Sequence, residues 1–170
     1  MHSRPFLYLA LVLLSAGGAA FGQGEKPTSQ CLKHEANLCT ECAIDVPDGM
    51  SLPNKTRTPL ATCQAMKPGP ARLMLETHAQ PVEPGIWEVE FGLGYKTSAR
   101  EECPHQYIAS DFPPLRAAYQ IGPISIDSEI PADGTIQVLL CIGLSSAQVG
   151  GEGRETGASL KGSTLQVVSQ

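Results

Sequence analysis

Beyond its first twenty residues the chain has no long apolar run. A helix that spans a bilayer takes about 20 apolar residues, so no membrane span is expected downstream. An excess of basic residues is missing too: 12 Lys and Arg stand against 17 Asp and Glu, a formal net charge of −5. That mild acidity, spread along the chain, argues against nucleic acid or an anionic membrane surface as the main partner. No helical period extends beyond two turns, no internal repeat is visible, and no shift in composition marks a second domain. Catalytic signatures are equally scarce. Ser145-Ser146 lacks a G-x-S-x-G context and takes no nucleophile role. Gly150, Gly151, Gly153 and Gly157 do not follow a strand and open a helix, so they read as a mobile loop and not as a phosphate cradle.

What is present begins with an export signal. Arg4 precedes the nine-residue apolar run Phe6-Leu-Tyr-Leu-Ala-Leu-Val-Leu-Leu14, and small residues follow at Ser15–Ala20. Charge, then a short apolar segment, then small residues is the order of a secretory signal peptide. Residues 1–20 are therefore read as that signal, with cleavage after Ala20, or after Gly22 as the second choice. The removed segment carries one Arg and no acid, so the mature charge becomes −6. Residues 21–30 are polar and read as a flexible N-terminal segment. Residues 31–170 are expected to form one domain. A mature chain of this size buries about 68–70% of its unfolded surface, enough for one self-sufficient core. The expected localisation is secreted or periplasmic.

All six cysteines, Cys31, Cys39, Cys42, Cys63, Cys103 and Cys141, lie after the signal. An even count in an exported chain predicts disulfides. Spacing favours pairing of Cys31, Cys39, Cys42 and Cys63 among themselves, which leaves Cys103 for Cys141. The competing idea is a metal site at Cys39-Thr-Glu-Cys42 with Cys31, His34 and Cys63 near it. Structural zinc sites usually carry two such knuckles, and the second is missing here. No metal and no cofactor is therefore expected. The segment Cys31–Cys63 is rich in turn residues and reads as loops with one or two short strands, with a short helix around Lys33–Glu41 as an option.

From Ala71 the pattern changes to a period of two. Leu73, Leu75 and Thr77 share one face of a predicted strand. Trp87, Val89, Phe91 and Leu93 share one face of the next, with Glu88 and Glu90 on the other. Ile136, Val138, Leu140, Ile142 and Leu144 share a face of a third. Such alternation marks half-buried antiparallel strands. Ala79–Gly85 reads as a hairpin loop and Pro131-Ala-Asp-Gly134 as a tight turn. Tyr119–Ile130 is a strand whose phase slips at Gly122-Pro123, the sign of a bulge. Leu160–Val168 closes the pattern. The predicted fold class is all-β: a disulfide-stapled antiparallel β-sandwich, or a small barrel, preceded by a loop-rich cysteine segment. On the strand that holds it, Cys141 lies opposite the Ile/Val/Leu face, so its disulfide is expected to pin a covering segment onto the outer face of a sheet.

The candidate chemical groups are few. His2 leaves with the signal, so His34, His78 and His105 remain, and His105 beside Cys103 and Tyr107 is the first to mutate. Glu88 and Glu90 form a carboxylate pair of the kind that glycosidases or calcium sites use. On an alternating strand the same pair is the ordinary solvent face. Asn54-Lys-Thr56 is a glycosylation sequon, meaningful only in a host that glycosylates its exports. Phe112-Pro-Pro-Leu115 offers apolar loop residues.

The stretch Glu83-Pro-Gly-Ile-Trp-Glu-Val-Glu-Phe-Gly-Leu-Gly-Tyr-Lys-Thr97 is similar to the Pro-Gly-x-aromatic-x-Val…Gly-Tyr hairpin of transthyretin-like and carboxypeptidase-regulatory modules. The resemblance implies a β-sandwich accessory domain without catalytic activity. The leading functional expectation is thus an exported, non-catalytic β-sandwich that binds a protein, a glycan or a surface ligand. One alternative is a secreted enzyme or metalloprotein using His105, His78 or the Glu88/Glu90 pair. The other is a disulfide-rigidified protease inhibitor or effector that presents a loop between Cys42 and Cys63.

Overall fold

A computed structural model describes residues 25–53, 56–81, 87–104, 106–107, 119–146 and 158–170. The segment 1–20 expected as a signal, Asn54, most of the expected loop at 79–85, His105 and Phe112–Leu115 lie outside them. The described residues form eleven strands and no helix: β1 (Thr28–Glu35), β2 (Leu38–Asp45), β3 (Ser51–Leu52), β4 (Thr56–Cys63), β5 (Gly69–Pro81), β6 (Trp87–Lys96), β7 (Glu101–Glu102), β8 (Gln106–Tyr107), β9 (Tyr119–Ile130), β10 (Ile136–Ser146) and β11 (Ala158–Ser169). The first sheet has the order β1-β2-β11-β5-β9, with β3 on β11. The second has the order β4-β10-β6-β7, with β8 on β6. Every strand pairing is antiparallel.

The period-two stretches become the two inner faces. Leu73 and Leu75 of β5, Leu165 and Val167 of β11, and Ile124 and Ile126 of β9 are buried on the first sheet. Phe91, Leu93 and Tyr95 of β6 and Ile136, Val138 and Leu140 of β10 are buried on the second. Each fully buried Leu, Ile, Val or Phe side chain is worth about 1.5–3 kcal/mol of transfer free energy, so this seam is the main source of stability. Thr77 is buried among these groups, and its hydroxyl lies 2.6 Å from that of Ser163.

Three sequence expectations are corrected. First, the cysteine-rich part is not mainly loop, since β1, β2, β3 and β4 occupy most of it. No helix spans Lys33–Glu41. Ala36 and Asn37, with φ of 50° and 66°, turn the chain into a β1–β2 hairpin instead. Two consecutive positive φ values are what a two-residue hairpin of the twist-matched type needs. Second, β1 starts at Thr28, inside the stretch read as flexible. Third, β5 and β6 belong to different sheets and do not pair with each other as the expected hairpin requires. Between them the chain passes from one layer of the sandwich to the other.

The slip at Gly122-Pro123 is present. The register between β5 and β9 shifts between Leu75 and Thr77. Gly122 has φ +101°, and a Cβ there would come within 2.5 Å of the Leu75 carbonyl oxygen, so glycine alone fits the bulge. Pro131–Gly134 is a turn closed by the Gly134 N–H donating to the Pro131 carbonyl at 2.9 Å. It carries the chain from β9 in the first sheet to β10 in the second.

Candidate functional site

All six cysteines pair: Cys31 with Cys39, Cys42 with Cys63, and Cys103 with Cys141. Each bridge has a distinct structural task. Cys31–Cys39 closes the β1–β2 hairpin over a separation of 8 residues. Cys42 on β2 and Cys63 on β4 join the two sheets, with Cα atoms 6.2 Å apart. Cys103–Cys141 ties the segment after β7 to the outer face of β10. Cys39 and Cys42 therefore enter different disulfides, and no group of three or more potential metal ligands occurs among the described residues.

The third bridge holds a covered patch on the outer face of the second sheet. Cys141 lies opposite Gly92 in the ladder, and Leu139 opposite Gly94. Leu139 and Cys141 are 2% and 5% exposed, although they face away from the sandwich seam. Residues Glu102–Pro104 lie over Gly92 and Gly94, and Cys103 is bonded to Cys141. The cover fits because the strand below carries no side chain at two alternating positions. A Cβ on Gly92 would sit 2.9 Å from the Pro104 carbonyl oxygen. One on Gly94 would run into the Glu102 carbonyl oxygen and sit 2.7 Å from Cys103 Sγ. The expected covering segment thus has a bed that the sequence reading missed. Its signal was there: two glycines two residues apart on the polar face of an alternating strand.

Ion pairs frame this cover. Glu101 accepts from Arg57 at 3.0 Å and lies 3.1 Å from Lys96. Lys96, and then Arg57, hold its carboxyl below the usual glutamate range. Tyr95, 2% exposed, donates its hydroxyl to Glu102 at 3.1 Å, and Arg100 lies 3.2 Å from the same carboxylate. The hydrogen bond with Tyr95, and then the charge of Glu102, raise the Arg100 pKa. Thr97 shapes the turn before β7 by accepting the Ala99 and Arg100 N–H groups on its Oγ1. Where this turn meets the end of β9, a cleft of about 320 Å³ opens, lined by Tyr95, Thr97, Arg100, Glu129 and Pro131. Its lining includes the Arg100 guanidinium and the Glu129 carboxylate, which can hold a polar group. The buried Tyr95 ring offers no stacking face. A second hollow, about 410 Å³, lies between Glu25–Pro27 and the Pro47–Ser51 turn.

The groups singled out in the sequence are scattered. His34 is exposed on β1, opposite Cys39. His78 is exposed on the outer side of β5, between buried Thr77 and Ala79. Glu88 and Glu90 occupy β6 in the other sheet, opposite Ser145 and Gly143. The segment between Cys42 and Cys63 runs through the ends of β2, β3 and β4, so most of it is ladder and not a presented loop.

No known protein family matches the chain, and no curated protein matches it. Two solved structures are similar to it. One is described as the structure of infectious bursal disease virus Gx strain, with a TM-score of 0.43, 11% identity, and coverage of 85% of this chain and 33% of that one. The other is described as the crystal structure of the infectious bursal disease virus VP2 subviral particle, with a TM-score of 0.41 and the same identity and coverage. The chain spans about a third of the length of each of these structures.

Proposed function

We propose that this protein is an exported, non-catalytic β-sandwich that works by binding a protein, a glycan or a surface ligand in a secreted or periplasmic setting. The observation that carries the reading is the separation of the reactive groups among the described residues. His34 is on an edge strand and His78 is on the outer side of the first sheet, while Glu88 and Glu90 belong to the second sheet. A nucleophile and its activating base must lie within hydrogen-bond reach of one another, and neither His34 nor His78 is on the sheet that carries Glu88 and Glu90. Three disulfides support an oxidising compartment. A rigid, stapled scaffold also lowers the ordering cost of binding.

The test pairs a turnover screen with a binding screen on the purified mature protein. Glycosidase, esterase and peptidase substrates are offered to the wild type and to His34→Ala, His78→Ala, His105→Ala and Glu88→Gln/Glu90→Gln. Glycans and surface components are offered on an array. The expected result is saturable binding without turnover above buffer. Robust turnover that one of these substitutions abolishes would overturn the proposal.

A further inference from the structure

The outer face of the first sheet carries a charge pattern that is complementary to itself. The ladder registers place Lys33, Glu41, Val168, Arg72 and Asp127 in one row across β1-β2-β11-β5-β9. Glu41, Val168, Arg72 and Asp127 alternate with inward-facing residues and point away from the seam, and Lys33 is exposed on the edge strand β1. Lys33 pairs with Glu41, and Arg72 Nε donates to Asp127 at 2.8 Å. Along the row the signs run plus, minus, neutral, plus, minus. The next outward row is Gln30, Ala43, Gln166, Met74 and Ser125, with no charge at all. An uncharged centre beside a charged margin is the layout of a protein interface.

We infer that this face binds a second copy of the same chain, through a two-fold axis that runs along β11. Rotation by half a turn about β11 exchanges β1 with β9 and β2 with β5. Lys33 then meets Asp127 of the other copy, and Glu41 meets its Arg72. Val168 and Gln166 meet their own counterparts on the axis, and the small Ala43 faces the larger Met74. A two-fold interface must be complementary to itself in this way, and a single row that changes sign about its middle strand meets that condition. One position disagrees: a further row along, Asp45 comes opposite Glu76. Five strands spaced about 4.8 Å apart present about 600 Å² per copy, about 1,200 Å² in total, the low end of specific interfaces. The dimer is therefore a weak, concentration-dependent one. It goes beyond the ligand reading above and stands or falls separately.

Sedimentation equilibrium of the mature protein, from low micromolar to near-millimolar concentration, tests it. The wild type is expected to show a monomer–dimer equilibrium. Glu41→Arg alone and Arg72→Glu alone each set like charges against each other and weaken it about tenfold or more. The double variant E41R/R72E makes the row plus, plus, neutral, minus, minus, still self-complementary, and restores the dimer. Val168→Glu places two acids on the axis and abolishes it, which decides the question alone should the double variant fail to fold. Glu76→Gln tightens association. A monomer throughout, a dimer indifferent to V168E and to the single reversals, or a folded double variant that stays dissociated would each overturn the inference.

Discussion

Gly94→Ala is the sharpest probe of how the cover is held. The added methyl group would collide with the Glu102 carbonyl oxygen and lie 2.7 Å from Cys103 Sγ and 2.9 Å from Cys103 Cα. Ordinary contacts of these kinds need more than 3 Å, so the covering segment must rise. The Cys103–Cys141 bridge resists that movement. Overpacking against a held backbone costs about 1–3 kcal/mol. Alanine also stiffens the unfolded chain, which offsets about 0.4–1 kcal/mol. The net loss should be about 1–2 kcal/mol, or roughly 2–8 °C in Tm for a chain of this size. Gly92→Ala, whose methyl group would meet the Pro104 carbonyl at 2.9 Å, should lose less. The assay is urea unfolding followed by circular dichroism, repeated in a Cys103→Ala/Cys141→Ala background. With the bridge gone the cover can lift, and the cost of G94A should fall below about 1 kcal/mol. An equal cost in both backgrounds, or no cost in either, would refute the claim that the disulfide presses this segment onto a glycine bed.

Two further predictions concern single polar groups. Lys96 and Arg57 depress the Glu101 pKa, so its contribution to stability is present above the ordinary glutamate value and is lost as pH falls through the depressed one. Melting curves of the wild type and Glu101→Gln should therefore differ at neutral pH and converge in acid, and a gap that persists or widens in acid would contradict this sign. Ser128 lies on β9 between the buried Ile126 and Ile130, and among the described residues its buried hydroxyl has no hydrogen-bond partner. Ser128→Ala should raise stability by about 1 kcal/mol in chemical denaturation, and a loss of that size would show that the hydroxyl is satisfied.

Much of the strand content could be read directly because it is a local signal. Leu73-Met-Leu-Glu-Thr77 and Phe91-Gly-Leu-Gly-Tyr95 alternate because successive side chains of a strand point to opposite faces. One face of each is buried in the seam. The cysteine-rich part hid its strands for equally local reasons. β1 is exposed over almost its whole length and shows no alternation. β4 carries Pro59, a residue that breaks the expected pattern and that an edge strand tolerates. The Ala36-Asn37 turn has no glycine to announce it.

The sequence alone determined the class of the fold, the even set of cysteines, and the outward position of Cys141 on its strand. Each follows from composition or from near neighbours along the chain. The tertiary structure decided which strands share a sheet, because hydrogen-bonded partners such as β11 and β2 are far apart in sequence and no short-range pattern encodes their meeting. It turned the supposed β5–β6 hairpin into a passage between layers. It set Gly92 and Gly94 beneath Cys103, and it lined up Lys33, Glu41, Val168, Arg72 and Asp127 across five strands. Surfaces of this kind exist only after register is set, and register depends on packing a whole face at once.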